Sequence, residues 1–238
     1  MSTLLAGYFL AAYPDAASSL ELFKKVSAYL DIFEIGYPSK NPVFDGDIIR
    51  KAHQDVMSRN CPNLSYWQAL RSVISKPLWI MAYKADFIDT GLYHVFADQK
   101  LADVFVLPDC TDNERAMLGT ELIPKGIEVM GFANPAMSQE EFKLIANTHK
   151  KIYFQLYIGK TGSEGIEPDP LSYLKTARSF PGLKVFAGFG ISTAEKTLSL
   201  MEQGFDGVII GTAFLKALNE SKNALLDLIR DISGALKT

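Results

Sequence analysis

Short apolar runs of β character alternate with longer amphipathic stretches along this chain, and that alternation restricts its fold more than any other feature. The β-like runs are Leu4–Ala12, Asp31–Gly36, Leu78–Tyr83, Val104–Leu107, Glu128–Phe132, Ile152–Leu156, Val185–Gly188 and Gly207–Ile210. Helical spacing of apolar residues marks Ala16–Ala28, Asp47–Met57, Tyr66–Ile74, Asn113–Glu121, Ser138–Thr148, Pro170–Ser179, Thr193–Gln203 and Ala224–Leu236. Ser138 with Glu141 reads as a capping box, and Pro170 suits a first helical turn. A strand that returns parallel to its predecessor needs a crossover, and each helical stretch supplies one. Eight such units predict an α/β fold, a single (β/α)8 TIM barrel over residues 1–238 with no linker or internal boundary. A doubly wound open sheet is the alternative, although the first strand lacks the GxGxxG turn often found there.

Composition narrows the function. Among 238 residues, 24 Lys and Arg stand against 27 Asp and Glu, a net charge of −3. No basic excess is available to neutralise nucleic-acid phosphates or an anionic membrane. No apolar run approaches the ~20 residues of a membrane span, and the N-terminus lacks a basic leader, so a soluble, cytoplasmic protein is expected. Cys61 and Cys110 form neither a disulfide framework nor a zinc motif, and no metal site is expected. His53, His94 and His149 are far apart in sequence and read as surface or capping residues.

Two carboxylates stand out. If Phe33 and Ile35 pack beneath helices, strand alternation turns Glu34 into the barrel, near its C-terminal mouth. Burial there raises a carboxyl pKa toward the range where the group can both give and take a proton. Asp45 follows on the next loop and can face the same mouth; its alternative is helix capping, which Asp47 could serve better. Farther along, Gly188-Phe189-Gly190-Ile191-Ser192 and Gly211-Thr212-Ala213 each close a strand and open a helix. Glycine backbone and helix N-termini suit an anion, and barrels often hold phosphate at these two loops. Two long loops, 36–46 and 157–168, fall on the same face. Gly159-Lys160-Thr161-Gly162 lacks P-loop spacing and reads as part of a glycine-hinged lid.

With these residues in place, the chain resembles the tryptophan synthase alpha-subunit family throughout its length. The resemblance rests on Phe33-Glu34-Ile35-Gly36-Tyr37-Pro38, Pro42-Val43-Phe44-Asp45-Gly46, Gly188-Phe189-Gly190-Ile191-Ser192 and Gly211-Thr212-Ala213. It implies retro-aldol cleavage of indole-3-glycerol phosphate to indole and glyceraldehyde 3-phosphate. Glu34 would protonate indole C3, and Asp45 would hold the indole N–H and stabilise the cation. Phe9, Tyr83, Tyr153, Thr161 and Phe189 would bind substrate, and Gly162, Gly190, Gly211 and Thr212 would bind its phosphate. The resemblance further implies no cofactor in this chain and a beta-subunit partner in an alpha-beta-beta-alpha heterotetramer. Indole would pass to that partner, which would hold the pyridoxal phosphate.

Several loops depart from the family pattern. Ser39-Lys40-Asn41-Pro42 stands where Phe-Ser-Asp-Pro is usual, and Asp45-Gly46-Asp47 where Asp-Gly-Pro is usual. Tyr83-Lys84-Ala85-Asp86, Pro108-Asp109-Cys110-Thr111 and Tyr157-Ile158-Gly159-Lys160 also differ. The first strand lies so near residue 1 that the helix covering the barrel bottom is expected to be missing or reduced. These changes leave an alternative, a weakly active or inactive alpha-type subunit that binds and activates the beta subunit.

Overall fold

Parallel pairing runs through the whole sheet. In a computed structural model, which describes residues 4–59, 62–161 and 170–236, the strands are β1 (Leu4–Leu10), β2 (Ile32–Gly36), β3 (Leu78–Met81), β4 (Val104–Val106), β5 (Glu128–Val129), β6 (Gly131–Ala133), β7 (Lys151–Gln155), β8 (Lys184–Gly188) and β9 (Gly207–Ile210). Their order is β5-β4-β3-β2-β1-β9-β8-β7-β6. The two ends of this sheet, β5 and β6, are separated in the chain only by Met130, so the strands form a nearly closed barrel. The expected strand Glu128–Phe132 is thus one path in two pieces, the first paired with β4 and the second with β7. Gly131 accounts for the change of partner: a Cβ there would lie 2.6 Å from Ile145 Cγ2, and a glycine within a strand commonly marks such a bend.

The helices are α1 (Ala16–Val26), α2 (Asp47–Ser58), α3 (Leu64–Val73), α4 (Lys84–Phe87), α5 (Leu92–Asp98), α6 (Asp112–Leu122), α7 (Gln139–Thr148), α8 (Leu171–Ala177), α9 (Ala194–Gln203), α10 (Thr212–Glu220) and α11 (Lys222–Ala235). The capping box expected before α7 forms, with Ser138 and Glu141 exchanging bonds, and Thr111 with Glu114 makes a second one before α6. The short helices α4 and α5 were not expected from periodicity, and the helix opening after Gly211 is a separate element from α11.

Strand alternation separates an aromatic outer layer from the barrel interior. Phe33 of β2 faces outward, its ring 5.9 Å from Phe23 of α1 and 6.3 Å from Phe9 of β1. Phe9 also stacks on Phe214 of α10 at 6.0 Å. Between Phe33 and Ile35, Glu34 therefore points inward.

At the barrel bottom one device recurs three times. Asp31, Asp103 and Asp206 each precede a strand, and each carboxylate accepts the backbone N–H of a neighbouring strand: Leu5 at 2.9 Å, Leu78 at 2.7 Å and Val185 at 2.8 Å. Each aspartate's own N–H donates to the carbonyl of that same residue. The two bonds fix register where the sheet begins, at the end of the barrel away from the mouth. Hydrogen bonds to a charged acceptor are worth about 1.5–3 kcal/mol. Asp206→Ala should lower stability by about that amount in urea unfolding while leaving ligand binding at the mouth unchanged; an unmoved unfolding midpoint would refute this role.

Candidate active site

The C-terminal mouth opens into a cavity of about 750 Å3. Strand after strand turns one side chain into it: Tyr8 from β1, Glu34 from β2, Met81 from β3, Val106 from β4, Phe132 from β6 and Tyr153 from β7. Tyr8 and Glu34 are register partners on adjacent strands. Room for the two tyrosines comes from missing side chains, since a Cβ at Gly36 would strike the Tyr8 hydroxyl and one at Gly188 the Tyr153 ring. Phe132 stacks on Tyr153 at 4.9 Å, and Phe189 meets Tyr153 edge-on at 6.0 Å. These rings give the cavity flat apolar walls suited to a planar aromatic ligand.

Glu34 is 2% exposed, and its Oε1 has no hydrogen-bond partner among the described residues. Burial, reinforced by the nearby Asp45, pushes its carboxyl up to about 8. At neutral pH the group is therefore mostly protonated, a proton donor facing the cavity. Tyr8 and Tyr153 are also raised, burial being the largest cause, and remain neutral phenols.

Asp45 lines the same cavity and is 1% exposed. It does not cap α2, whose N-cap is Gly46 and carries no side-chain bond. Its Oδ2 instead accepts the Tyr83 hydroxyl at 2.8 Å. Thr161, from the loop after β7, holds the peptide around Asp45 on both sides. Its N–H donates to Phe44 O at 3.0 Å, and its hydroxyl accepts from Gly46 N at 2.9 Å. Only glycine permits this approach, because a Cβ at Gly46 would collide with the Thr161 carbonyl.

The far wall belongs to backbone. Gly190, Ile191 and Ser192 line it from the loop after β8, and Gly211, Thr212 and Ala213 from the turn into α10. The first-turn N–H groups of α10 have no partners within the helix and face an anion favourably. Phe189 and Gly190 both have φ of 73°, and the left-handed conformation of Phe189 is strain stored at the site.

The structure brings Glu34, Asp45, Tyr153, Thr161, Phe189, Gly190, Gly211 and Thr212 around one cavity. Phe9 is not among them. It lies in the outer aromatic layer, and Tyr8 takes the inward place, one residue earlier in strand parity. Tyr83 stands behind Asp45 rather than on the cavity wall. Gly162 lies outside the described residues. His53 and His149 are buried, not surface groups; His149 does hold the C-cap position of α7 and its Nδ1 bonds the Val129 carbonyl at 2.9 Å, while His53 reaches the back of Asp45. Lys216 of α10 also lines the cavity and was not anticipated.

Burial of Glu34 has a consequence for stability. Its folded pKa lies above the ordinary value of 4.5, so between about 4.5 and 8 the native state binds more protons than the unfolded chain. Stability tied to the protonated group is complete below 4.5 and is lost as pH rises through 8, by on the order of 1 kcal/mol per pH unit where the slope is steepest. Glu34→Gln removes the charge cost. Its unfolding midpoint should rise relative to the unaltered protein as pH goes from 5 to 9, and a difference independent of pH would contradict the assignment.

A family model described as tryptophan synthase alpha chain matches residues 2–233. The tryptophan synthase alpha chain of Caldicellulosiruptor saccharolyticus is 27% identical over 235 residues, covering 97% of this chain and 92% of its own length. That of Methanosarcina barkeri is 27% identical over 241 residues, with 97% and 90% covered. Among solved structures, a chain of Mycobacterium tuberculosis tryptophan synthase superposes with a TM-score of 0.87 at 18% identity, covering 100% of this chain and 93% of that one. A chain of the Pyrococcus furiosus tryptophan synthase complex does so at 0.83 and 23% identity, covering 98% and 100%. These structural likenesses establish the shared barrel, and the family match extends over nearly the whole sequence: the chain belongs to the tryptophan synthase alpha chain family.

Proposed function

We propose that this chain cleaves indole-3-glycerol phosphate to indole and glyceraldehyde 3-phosphate, with Glu34 and Asp45 as the reacting pair. The observation that carries the reading is a buried, mostly protonated Glu34 sharing one cavity with Asp45, aromatic walls and a backbone anion cradle. The indole ring lies between the aromatic side chains, and the phosphate meets the N–H groups at Gly190, Gly211 and Thr212. Glu34 gives its proton to indole C3, and Asp45, against the ring N–H, stabilises the resulting cation. Glu34, now ionised, takes the proton of the hydroxyl on the carbon attached to C3. That C–C bond then breaks, its electrons flow into the ring, and indole and the aldehyde are released with Glu34 protonated again. Fixing the phosphate at one end and the ring N–H at the other supplies the orientation that the step requires.

The reading assigns the acid–base work to this chain's own side chains and leaves pyridoxal phosphate to a beta-subunit partner in an alpha-beta-beta-alpha assembly. Val43 and Ile158, exposed apolar residues on the two loops at the mouth, support a partner on that face. A cytoplasmic location accords with Cys110, a buried unpaired thiol. No helix among the described residues is long and apolar enough to cross a membrane.

Indole release from indole-3-glycerol phosphate, measured with and without a tryptophan synthase beta subunit, tests the proposal. Glu34→Gln and Asp45→Asn should each lower turnover by about 10²–10⁴-fold, with KM changed only a few-fold. Near-normal turnover by Glu34→Gln removes the mechanism. No turnover by the unaltered protein, combined with activation of the beta subunit by either form, identifies a regulatory subunit instead.

A further inference from the structure

His53 is a buried titratable group that the cleavage mechanism leaves unused. Its side chain is completely buried in the second turn of α2. Nδ1 accepts the Ser39 N–H at 2.9 Å. A ring nitrogen that accepts carries no proton, so the hydrogen of the neutral imidazole resides on Nε2. Nε2 is buried without a hydrogen-bond partner, and Asp45 Oδ2 lies 3.4 Å from it. A second proton on Nδ1 would require breaking the Ser39 contact, so the pair is a neutral donor facing a carboxylate rather than an ion pair.

The surroundings hold this arrangement from several elements. Ser39 Oγ donates to Asp86 Oδ2 of α4 at 2.5 Å and accepts from Asn41 N at 3.1 Å. The loop carrying Asp45 is thus tied to α4 through Ser39 and to α2 through His53, while Thr161 holds it from the loop after β7. Around Asp45 stand Tyr83 behind and Glu34, Tyr8 and Tyr153 across the cavity. Oδ2 already accepts from Tyr83, and Oδ1 makes no hydrogen bond among the described residues.

We propose that His53 is a positioning residue for Asp45: Nε2–H donates to Oδ2, the oxygen also held by Tyr83, and leaves Oδ1 to meet the positive charge that develops on the substrate. The proposal rests on the role given to Asp45 above and adds to it the group that fixes which oxygen works. A separation of 3.4 Å suits a ligand-free site, where functional hydrogen bonds are commonly long and tighten when the reacting complex forms. The bond matters more in the transition state than in substrate binding, because only then does Asp45 face a full positive charge.

Two substitutions separate positioning from simple support. The amide of His53→Asn falls where Nδ1 now lies, keeping a partner for Ser39 N–H and losing the donor to Asp45. The longer side chain of His53→Gln carries its amide to the Nε2 position, keeping that donor and losing the Ser39 contact. Removing one charge-assisted donor should lower kcat of His53→Asn about 10–100-fold with KM within about threefold. His53→Gln should retain kcat within about fivefold. Equal losses in the two variants, a larger loss in His53→Gln, or no loss in either overturns the proposal.

NMR of protein labelled with 15N-histidine supplies a readout independent of turnover. The expected spectrum shows Nε2 protonated and Nδ1 unprotonated, with an Nε2–H proton resonance that moves upfield in Asp45→Asn. A proton on Nδ1, or an Nε2–H resonance unaffected by that change, overturns the proposal. Absence of lyase turnover in the unaltered protein would count against the cleavage reading alone, since the NMR result still decides the contact between His53 and Asp45.

Discussion

A carboxyl group with an unpartnered oxygen, enclosed in a barrel lined by aromatic rings, is the constraint to which the rest of this structure answers. Burying Glu34 opposes folding wherever the group would be ionised, so the scaffold must be stable without help from the site. The stabilising features lie elsewhere. The outer layer of Phe9, Phe23, Phe33 and Phe214 packs between sheet and helices, and the aspartates Asp31, Asp103 and Asp206 fasten strand ends at the bottom. The mouth is left to loops and to groups chosen for chemistry, the division of labour that a (β/α)8 barrel permits.

Those loops are not independent of one another. The peptide around Asp45 is gripped by Thr161 from the loop after β7, and the Asp45 side chain is held by Tyr83 from the segment after β3. Thr161 therefore couples the position of Asp45 to the loop after β7. The contact is backbone to hydroxyl on one side and backbone to backbone on the other, so it depends on Gly46 having no side chain as much as on Thr161 being present.

How much of this was legible in the sequence depended on period. In β2, Phe33 and Ile35 flank an acidic residue, so the parity of the strand could be read and Glu34 placed inward. In β1, Leu5-Ala6-Gly7-Tyr8-Phe9-Leu10 is almost uniformly apolar, and a run without alternation does not show which residues face in. The resemblance named Phe9, and nothing in the run itself showed that Tyr8, one residue earlier, is the side chain that lines the cavity. The burial of His53 did have a signal: Ile49, Ala52 and Val56 share its helix face and are buried with it, so helical spacing placed the ring in the core. Its proximity to Asp45 had none, because the turn between them is set by Gly46 and Thr161 rather than by periodicity. The break at Met130 and the four-residue helix α4 escaped for a similar reason, each being too short to show a period.

Two carboxyl groups share one cavity, yet their surroundings differ in kind. Glu34 lies in a strand, where the backbone is consumed by the sheet and Oε1 finds no donor; desolvation then favours its protonated form. Asp45 lies on a loop, where nearby side chains can turn toward it, and it receives the Tyr83 hydroxyl with His53 behind. Strand placement leaves one carboxyl without a donor and loop placement supplies a donor to the other, from chemically similar side chains. The barrel thereby gives two carboxyl groups in one cavity different environments through secondary structure alone.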